Sequence, residues 1–251
     1  MIVHTFADGK KPVMVLIHGV LTPWQIWLPQ INAFKDRYDI YAIALSAHTA
    51  EQASEYISVS SECDEIICYF DQRSIDEIDV MCGISLGGKI AYNIFKSERL
   101  KIRSLVLDGA PLIKCPSIAV GIMTKNYTSI IHSSKKRDAR VIENFKKYFL
   151  PEKYLEEYLK IADLMTDSSI KNIVHSSFTE DKFDINIENT RILFIHGTKG
   201  NEILSKRSAR LLKKHCKNTD VVCFKNDPHC YKAIYRPEEW IRTVENFLNE
   251  Q

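Results

Sequence analysis

The sequence predicts an α/β protein with a mainly parallel central sheet and helices on both faces. Three observations favour this fold class. Short apolar runs recur along the chain, most are followed by a segment with helical spacing, and 251 residues are enough for one large domain. Strands that alternate with helices of this length form right-handed crossovers, which place the strands parallel to one another.

Seven apolar runs are predicted to be strands. The run from Pro12 to Ile17 is continuous, which is typical of a parallel strand that is buried on both faces. The first run ends at the turn signal Asp8-Gly9. In chain order, the predicted strands cover residues 2–6, 12–17, 40–45, 80–82, 104–108, 191–195 and 220–224.

Capping residues and periodicity predict the helices between these strands. Thr22 resembles an N-cap, with Pro23 at the first helical position and Gln25 closing a capping box. A second helix is predicted to start at Thr49, with Gln52 as its box partner. Further core helices are predicted directly after Ser85, from Ser205 to His215 and from Pro237 onward.

The alternation stops in the middle of the chain. From residue 112 to residue 187 the pattern is helical and contains no convincing buried strand, with Leu150-Pro151 as a break between two helices. The predicted organisation is therefore a core formed by residues 1–111 and 188–251, with a helical insertion of residues 112–187 after the strand that ends at Asp108.

Composition and charge argue against several classes of protein. With 34 basic and 32 acidic residues the net charge is +2, which gives no electrostatic case for a nucleic-acid partner. The first 11 residues lack a secretory signal, and no apolar run approaches the roughly 18 residues of a membrane span. The seven cysteines are scattered without C-x-x-C spacing, which argues against a zinc site or a disulfide framework. We expect a cytoplasmic protein without metal or organic cofactor, and the oligomeric state stays open.

The segment Gly83-Ile84-Ser85-Leu86-Gly87 lies between a predicted buried strand and an amphipathic helix. In that setting G-x-S-x-G is a nucleophile elbow, a sharp turn that leaves the serine hydroxyl exposed. The start of the following helix directs backbone N–H groups and positive dipole towards an anion formed there. Ser85 is therefore the predicted nucleophile.

A serine nucleophile needs a general base, an acid that orients the base, and donors for the oxyanion. His229 is the predicted base, because it lies in the loop between the last strand and the last helix. Loops that follow parallel strands meet at one edge of the sheet, so this loop lies on the same edge as the elbow. His18 and His196 end strands at that edge, and we interpret them as structural histidines.

These motifs resemble the α/β-hydrolase superfamily over nearly the whole chain. The resemblance is carried by His18-Gly19 after an early strand, the elbow at Ser85, His196-Gly197 after a late strand, and His229 before the C-terminal helix. The order nucleophile, acid, histidine is that superfamily's order. Its members commonly carry a helical cap in the position of residues 112–187.

The resemblance also implies the remaining site residues. The oxyanion hole would be formed by the backbone N–H groups of Val20 and Leu86. Relatives usually place the acid three residues after the glycine of the late His-Gly pair, and that position is Gly200 here. Glu202 in the same loop is the preferred acid, and Asp108, at the end of the strand after the elbow helix, is the alternative.

The predicted function is hydrolysis of a small, fairly apolar carboxylic ester through an acyl-enzyme, as in carboxylesterases. The aromatic residues Tyr148, Phe149, Tyr154 and Tyr158 of the cap could close an apolar pocket over the site. Two alternatives stay open. The same fold also cleaves thioesters, lactones, amides and carbon–carbon bonds, and Gly200 in place of the acid would fit a non-catalytic binding protein.

Overall fold

A seven-stranded sheet forms the centre of the molecule, and all seven predicted strands are present. The computed structural model describes residues 1–179, 190–200 and 202–250. The strands are β1 (Ile2–Phe6), β2 (Val13–Ile17), β3 (Asp39–Ala44), β4 (Glu77–Ile84), β5 (Lys101–Asp108), β6 (Arg191–His196) and β7 (Thr219–Cys223).

The sheet is parallel except at one edge. Its strand order is β1-β3-β2-β4-β5-β6-β7, in which β1 pairs antiparallel with β3 and the other five pairs are parallel. The residues Met14 to Ile17 of β2 are fully buried, as expected of a continuous apolar run in the middle of a covered sheet. The carboxyl ends of β2, β4, β5, β6 and β7 therefore lie along one edge.

Helices pack around the sheet. They are α1 (Leu28–Phe34), α2 (Val59–Asp71), α3 (Leu86–Lys96), α4 (Ser117–Lys135), α5 (Ala139–Tyr148), α6 (Leu155–Leu164), α7 (Asp167–Ser177), α8 (Glu202–His215), α9 (Tyr231–Tyr235) and α10 (Pro237–Asn249). α3 packs against α2 and against β4 and β5, while α1 packs against α10. The rings of Trp27 and Trp240, 5.4 Å apart, fill the space beside this second pair. The predicted α/β class with a mainly parallel sheet is confirmed.

The predicted start of the first helix is wrong. Thr22 is not an N-cap, because its hydroxyl donates a hydrogen bond to the Gly19 carbonyl over 2.9 Å. A 3₁₀ turn from Trp24 to Trp27 follows, without any side-chain cap, and α1 begins only at Leu28. The threonine thus stabilises the loop after β2 and not the helix.

The predicted helix start at Thr49 is also wrong. The Thr49 hydroxyl accepts a hydrogen bond from the backbone N–H of Glu51, two residues on, which is a local turn. The helix α2 starts ten residues later at Val59, where the Ser58 hydroxyl accepts from the N–H of Ser61 at 3.0 Å. Ser58 is therefore the N-cap, and the chain between the two sites is loop.

The stretch between β5 and β6 is helical as far as it is described. Residues 112–179 contain α4 to α7 and no strand, and the break at Leu150-Pro151 separates α5 from α6. The end of the predicted cap, residues 180–187, and its boundary at 188 lie outside the described residues. α7 is bonded to the core, since the N–H of Tyr56 donates to the Ser169 hydroxyl and the Asn172 amide donates to the Tyr56 carbonyl.

None of the helices within the described residues has both the length and the apolar character needed to cross a membrane.

Candidate active site

Ser85 occupies the junction between β4 and α3 in a strained backbone conformation. Its φ is 50° and its ψ is −115°, a region that non-glycine residues rarely adopt. Two backbone hydrogen bonds hold it there: its N–H donates to the Asp108 carbonyl at 2.7 Å, and its carbonyl accepts from the N–H of Lys89 at 3.0 Å. The side chain makes no cap to α3, so its hydroxyl is left for other partners.

Glycines make this sharp turn sterically possible. A Cβ at Gly83 would lie 2.3 Å from the Gly87 carbonyl oxygen, and a Cβ at Gly87 would lie 2.2 Å from the Ile17 carbonyl oxygen. The start of α3 therefore approaches β2 and β4 more closely than any side chain would permit. This close approach is the geometry that the elbow motif predicts.

His229 lies in the loop between β7 and α9, and its ring is bonded to a buried carboxylate. The Nδ1–H of His229 donates to Oε1 of Glu202, the first residue of α8. The other carboxylate oxygen of Glu202 accepts the N–H of Gly197 at 2.8 Å. Glu202 reaches the ring although it lies beyond Gly200, where relatives carry the acid, because the glutamate side chain is one methylene longer than aspartate.

The loop that carries His229 is fixed to the loop after β6. The Asp227 carbonyl accepts the N–H groups of Thr198 and Lys199 at 2.9 and 3.0 Å. The His229 ring lies against Gly109, where a Cβ would come within 2.5 Å of its Cε1 atom. Gly109, with φ +67°, thus leaves the space that the imidazole occupies.

Burial and mutual attraction have opposite effects on the pKa values of His229 and Glu202. Burial disfavours the charged imidazolium, but the hydrogen bond and charge of Glu202, with a contribution from Asp108, raise the pKa of His229 above its usual value. Burial likewise opposes ionisation of Glu202, but the hydrogen bond and charge of His229, with smaller contributions from the Gly197 N–H and His196, together lower the pKa of Glu202. Glu202 thus stabilises the charged form of the His229 ring, and His229 stabilises the ionised form of Glu202.

Asp108, the alternative acid, lies in the same neighbourhood. It ends β5 and is 2% exposed. Burial raises its pKa to about 7; His229 lowers and Glu202 raises this value, so both charges act on it. The structure therefore brings both carboxyl groups into the surroundings of His229, and only Glu202 is hydrogen-bonded to the ring.

A cavity of about 210 Å³ joins Ser85 to His229. Val20 borders it, as do Tyr148 and Phe149. Among the hydrogen bonds of the described residues, none joins the Ser85 hydroxyl to His229, and catalytic hydrogen bonds are often long before substrate binds. Most of the residues that border the cavity are apolar, and Thr22, Ser85, Lys199 and His229 contribute polar groups.

Leu86 follows Ser85 directly in the chain, and Val20 follows Gly19, which lies against Ser85. A Cβ at Gly19, next to Val20, would be 3.3 Å from the Ser85 Cβ. Within the part of the chain that the structure describes, neither the backbone N–H of Val20 nor that of Leu86 has a hydrogen-bond partner. Both are therefore available to an oxyanion that forms beside Ser85.

Where the chain is described, no group of three or more His, Cys, Asp and Glu side chains is placed to hold a metal ion.

Comparison with known proteins gives the fold. No protein-family profile matches the chain. An α/β-hydrolase family protein from Desulfitobacterium hafniense superposes with a TM-score of 0.77 at 21% identity, covering 99% of this chain and 100% of that one. A carboxylesterase structure from Nitrososphaera gargenis gives 0.76 at 14% identity, covering 98% and 93%. The chain has the α/β-hydrolase fold.

Similarity in sequence is confined to a shorter segment. The chain is 26% identical over 108 residues to a Bacillus subtilis protein named "Uncharacterized carboxylesterase nap". The match covers 41% of this chain and spans 36% of that protein, about a third of its length.

Within this α/β-hydrolase fold, the four aromatic residues that the sequence analysis assigned to the predicted cap divide into two groups. Tyr148 and Phe149 border the cavity, as the sequence interpretation allows. Tyr154 and Tyr158 are instead buried among the helices, where the Tyr158 ring stacks on Phe145 at 3.7 Å. They stabilise the helical stretch and do not contact the site.

Tyr127 of α4 borders the cavity and was missed by the sequence interpretation. Its position could have been found, because Val120, Met123 and Tyr127 recur at helical spacing and pack in one cluster. Lys199 and Ile234 also border the cavity. They lie in irregular loop or short-helix positions that carry no periodic signal.

Proposed function

We propose that this protein is a serine hydrolase that cleaves a small, fairly apolar carboxylic ester through an acyl-enzyme. In this proposal Ser85 is the nucleophile, His229 the general base and Glu202 the acid that orients it. The backbone N–H groups of Val20 and Leu86 form the oxyanion hole.

One observation carries the proposal. Ser85, strained at the strand–helix junction, and His229, bonded through Nδ1 to the buried Glu202, border the same cavity. A carboxylate on Nδ1 selects the tautomer whose Nε2 lone pair is free to accept a proton. A serine facing such an imidazole is the arrangement that activates a hydroxyl for acyl transfer.

The first half of the reaction forms the acyl-enzyme. The Ser85 hydroxyl oxygen attacks the ester carbonyl carbon while its proton passes to His229 Nε2. The carbonyl oxygen becomes an oxyanion, which the Val20 and Leu86 N–H groups stabilise. When the intermediate collapses, the carbon–oxygen bond to the alcohol breaks and His229 returns the proton to the departing alkoxide.

The second half releases the acid. Water attacks the acyl carbon and gives a proton to His229, and the bond to Ser85 breaks as the serine oxygen regains that proton. Glu202 stays ionised throughout and stabilises the imidazolium in both halves. Its buried position and its bond to Gly197 keep the ring in one orientation.

Residues 112–187 serve in this proposal as a cap over a core of residues 1–111 and 188–251. Tyr127, Tyr148 and Phe149, which all come from that stretch, border the cavity above Ser85. Apolar walls of this kind exclude water and favour an apolar substrate. The carboxylesterase names of the Bacillus subtilis and Nitrososphaera gargenis proteins support the choice of an ester bond.

A fluorophosphonate probe tests the proposal. We expect the folded protein to be labelled at Ser85, and Ser85→Ala to abolish both labelling and hydrolysis of p-nitrophenyl acetate. Ser129→Ala, which removes an exposed serine on α4, is the matched control and should behave as wild type. If wild-type protein is not labelled under conditions in which a control esterase is, the non-catalytic binding protein becomes the better description.

A further inference from the structure

Two cavities of unequal size open at Ser85. The larger cavity, of about 210 Å³, is bordered by His229 and Phe149. The smaller cavity, of about 30 Å³, is bordered by Leu86 and Val174. Val20, Ser85 and Tyr127 border both cavities, whereas His229 and its loop border only the larger one.

The chemistry of the tetrahedral intermediate assigns a substrate part to each cavity. The reacting carbon carries four substituents, which are the Ser85 oxygen, the oxyanion, the departing alcohol oxygen and the acyl substituent. Val20 and Leu86 hold the oxyanion, and the alcohol oxygen must lie within hydrogen-bond reach of His229 to receive its proton. The departing alcohol therefore belongs on the side of the larger cavity, which His229 borders. The smaller cavity, which Val20 and Leu86 border beside the oxyanion, is left for the acyl substituent.

The volumes limit what each cavity can hold. The smaller cavity offers about one seventh of the space of the larger one. A small group such as a water molecule needs only about 10–15 Å³, so both cavities admit small groups. An acetyl or propionyl group suits the smaller cavity, and a bulky ring such as a benzyl group suits the larger one.

The walls of the smaller cavity are mostly apolar. Ile173 and Val174 of α7 are 2% and 1% exposed, and Pro111 lies beside them. The Ser177 hydroxyl at this cavity already donates to the Ile173 carbonyl at 2.6 Å, so its proton is not offered to a substrate. The larger cavity carries aromatic rings and, with Lys199, one cation at its border.

We propose that the substrates are esters of a very short, apolar acid with a bulky, apolar or aromatic alcohol. This inference rests on the proposed function and adds which side of the ester bond carries the bulky group. The limit on the acyl group comes from Val174 and Ile173, and the tolerance for the alcohol comes from the cavity beneath Tyr148 and Phe149.

Two isomeric esters test whether the bulky group is accepted on the alcohol or on the acid. Benzyl acetate and methyl phenylacetate have the same atoms and similar intrinsic reactivity, but the phenylmethyl group is on the alcohol in the first and on the acid in the second. We expect kcat/KM for benzyl acetate to exceed that for methyl phenylacetate by about 100-fold or more, because the misplaced group overfills the smaller cavity. Equal or reversed values would overturn the inference.

Variants at the two cavities distinguish a change in substrate preference from a general loss of activity. Val174→Ala should raise kcat/KM for methyl phenylacetate by about tenfold and reduce the preference for benzyl acetate, since it removes two methyl groups and the space of even one methylene changes discrimination by that order. Tyr148→Ala is the matched control, which should lower turnover of benzyl acetate without improving methyl phenylacetate. Ile173→Val tests the same wall if Val174→Ala does not fold.

The outcomes distinguish this inference from the proposed function. Hydrolysis of both isomers that depends on Ser85 but shows no preference overturns only the assignment of the cavities. If the wild-type protein shows neither turnover nor fluorophosphonate labelling, both the proposed function and this inference are overturned.

Discussion

His18 and His229 lie at the same edge of the sheet, and their surroundings differ in two respects. The Nδ1–H of His18 donates to the Gly19 carbonyl at 2.8 Å, and its Nε2 accepts the N–H of Leu45 at 3.1 Å. His18 is fully buried, and burial lowers its pKa to about 3. The Nδ1–H of His229 donates instead to a carboxylate, its side chain is 37% exposed, and its pKa is raised.

The comparison indicates how the surroundings of a histidine interpreted as structural differ from those of the proposed general base. Protonation of His18 would break its bond to Leu45 and bury a charge beside a neutral carbonyl, so the ring stays neutral. His229 can accept a proton because the charge of Glu202 compensates the imidazolium. His196 resembles His18 in its hydrogen bond, because its Nδ1–H also donates to the carbonyl of the following glycine, Gly197, at 2.7 Å.

Replacement of His229 should have the largest effect on turnover. His229→Gln should lower kcat for a short-acyl ester by about 10⁴-fold or more, because Ser85 loses its proton acceptor. The rate of fluorophosphonate labelling should fall in parallel. A residual activity within tenfold of wild type would show that another group accepts the proton.

Removal of the charge on Glu202 makes His229 more like His18. Glu202→Gln should lower kcat by about 10² to 10⁴-fold. The acidic limb of the kcat/KM profile should move to lower pH, because the contribution that raises the pKa of His229 is lost while burial, which lowers it, stays. Glu238→Gln, at an exposed position in the first turn of α10, is the control. Wild-type turnover in Glu202→Gln would move the role of the acid to Asp108.

Replacement of His18 should affect stability more than catalysis. His18→Leu leaves the buried N–H of Leu45 without an acceptor, which lowers the free energy of unfolding by about 1–3 kcal/mol. Activity of the folded molecules should fall by no more than about tenfold, because His18 takes no proton. Denaturant unfolding and active-site titration measure the two effects separately. A loss of kcat as large as that of His229→Gln would contradict the distinction between the two histidines.

Asp108→Asn should have the smallest effect on turnover and a distinct effect on stability. The pKa of Asp108 is raised from 3.8 to about 7 in the fold, so the folded state binds more protons than the unfolded state between these values. The stabilisation that Asp108 contributes is complete below pH 3.8 and is lost as the pH rises to about 7. Asparagine does not titrate, so the variant should gain stability relative to wild type over this range.

Unfolding at pH 5 and at pH 8 checks this expectation. The difference in the free energy of unfolding, Asp108→Asn minus wild type, should be more positive at pH 8. An unchanged difference would show that Asp108 is ionised in the folded protein at both pH values.

The strands could be predicted because each is a local signal. A run such as Met14 to Ile17 is apolar at every position, and burial on both faces of a parallel sheet requires that pattern. The helix starts at Thr22 and Thr49 were wrong because their hydroxyls bond within loops, and a capping pattern does not reveal which partner a hydroxyl finds.

The surroundings of His229 depend on tertiary contacts that a single sequence does not contain. Glu202 and Asp108 are 94 residues apart in the sequence and meet only because β5 and β6 are neighbours in the sheet. The order of the predicted strands and loops places both residues at the edge of the sheet that also carries His229. Which of them bonds to the ring depends on the start of α8 and the reach of the side chain. Tyr127 lies at the cavity for a similar reason, since the packing of α4 decides which ring faces Ser85.

Glu202 is the first residue of a helix, and this couples the site to the behaviour of a helix end. Terminal turns open more readily than the middle of a sheet, because fewer hydrogen bonds hold them. Opening of the first turn of α8 would withdraw the carboxylate from His229 while β4, β5 and the elbow stay intact. On warming, we therefore expect activity to decline below the temperature at which the sheet melts, and hydrogen exchange in the first turn of α8 to follow that decline.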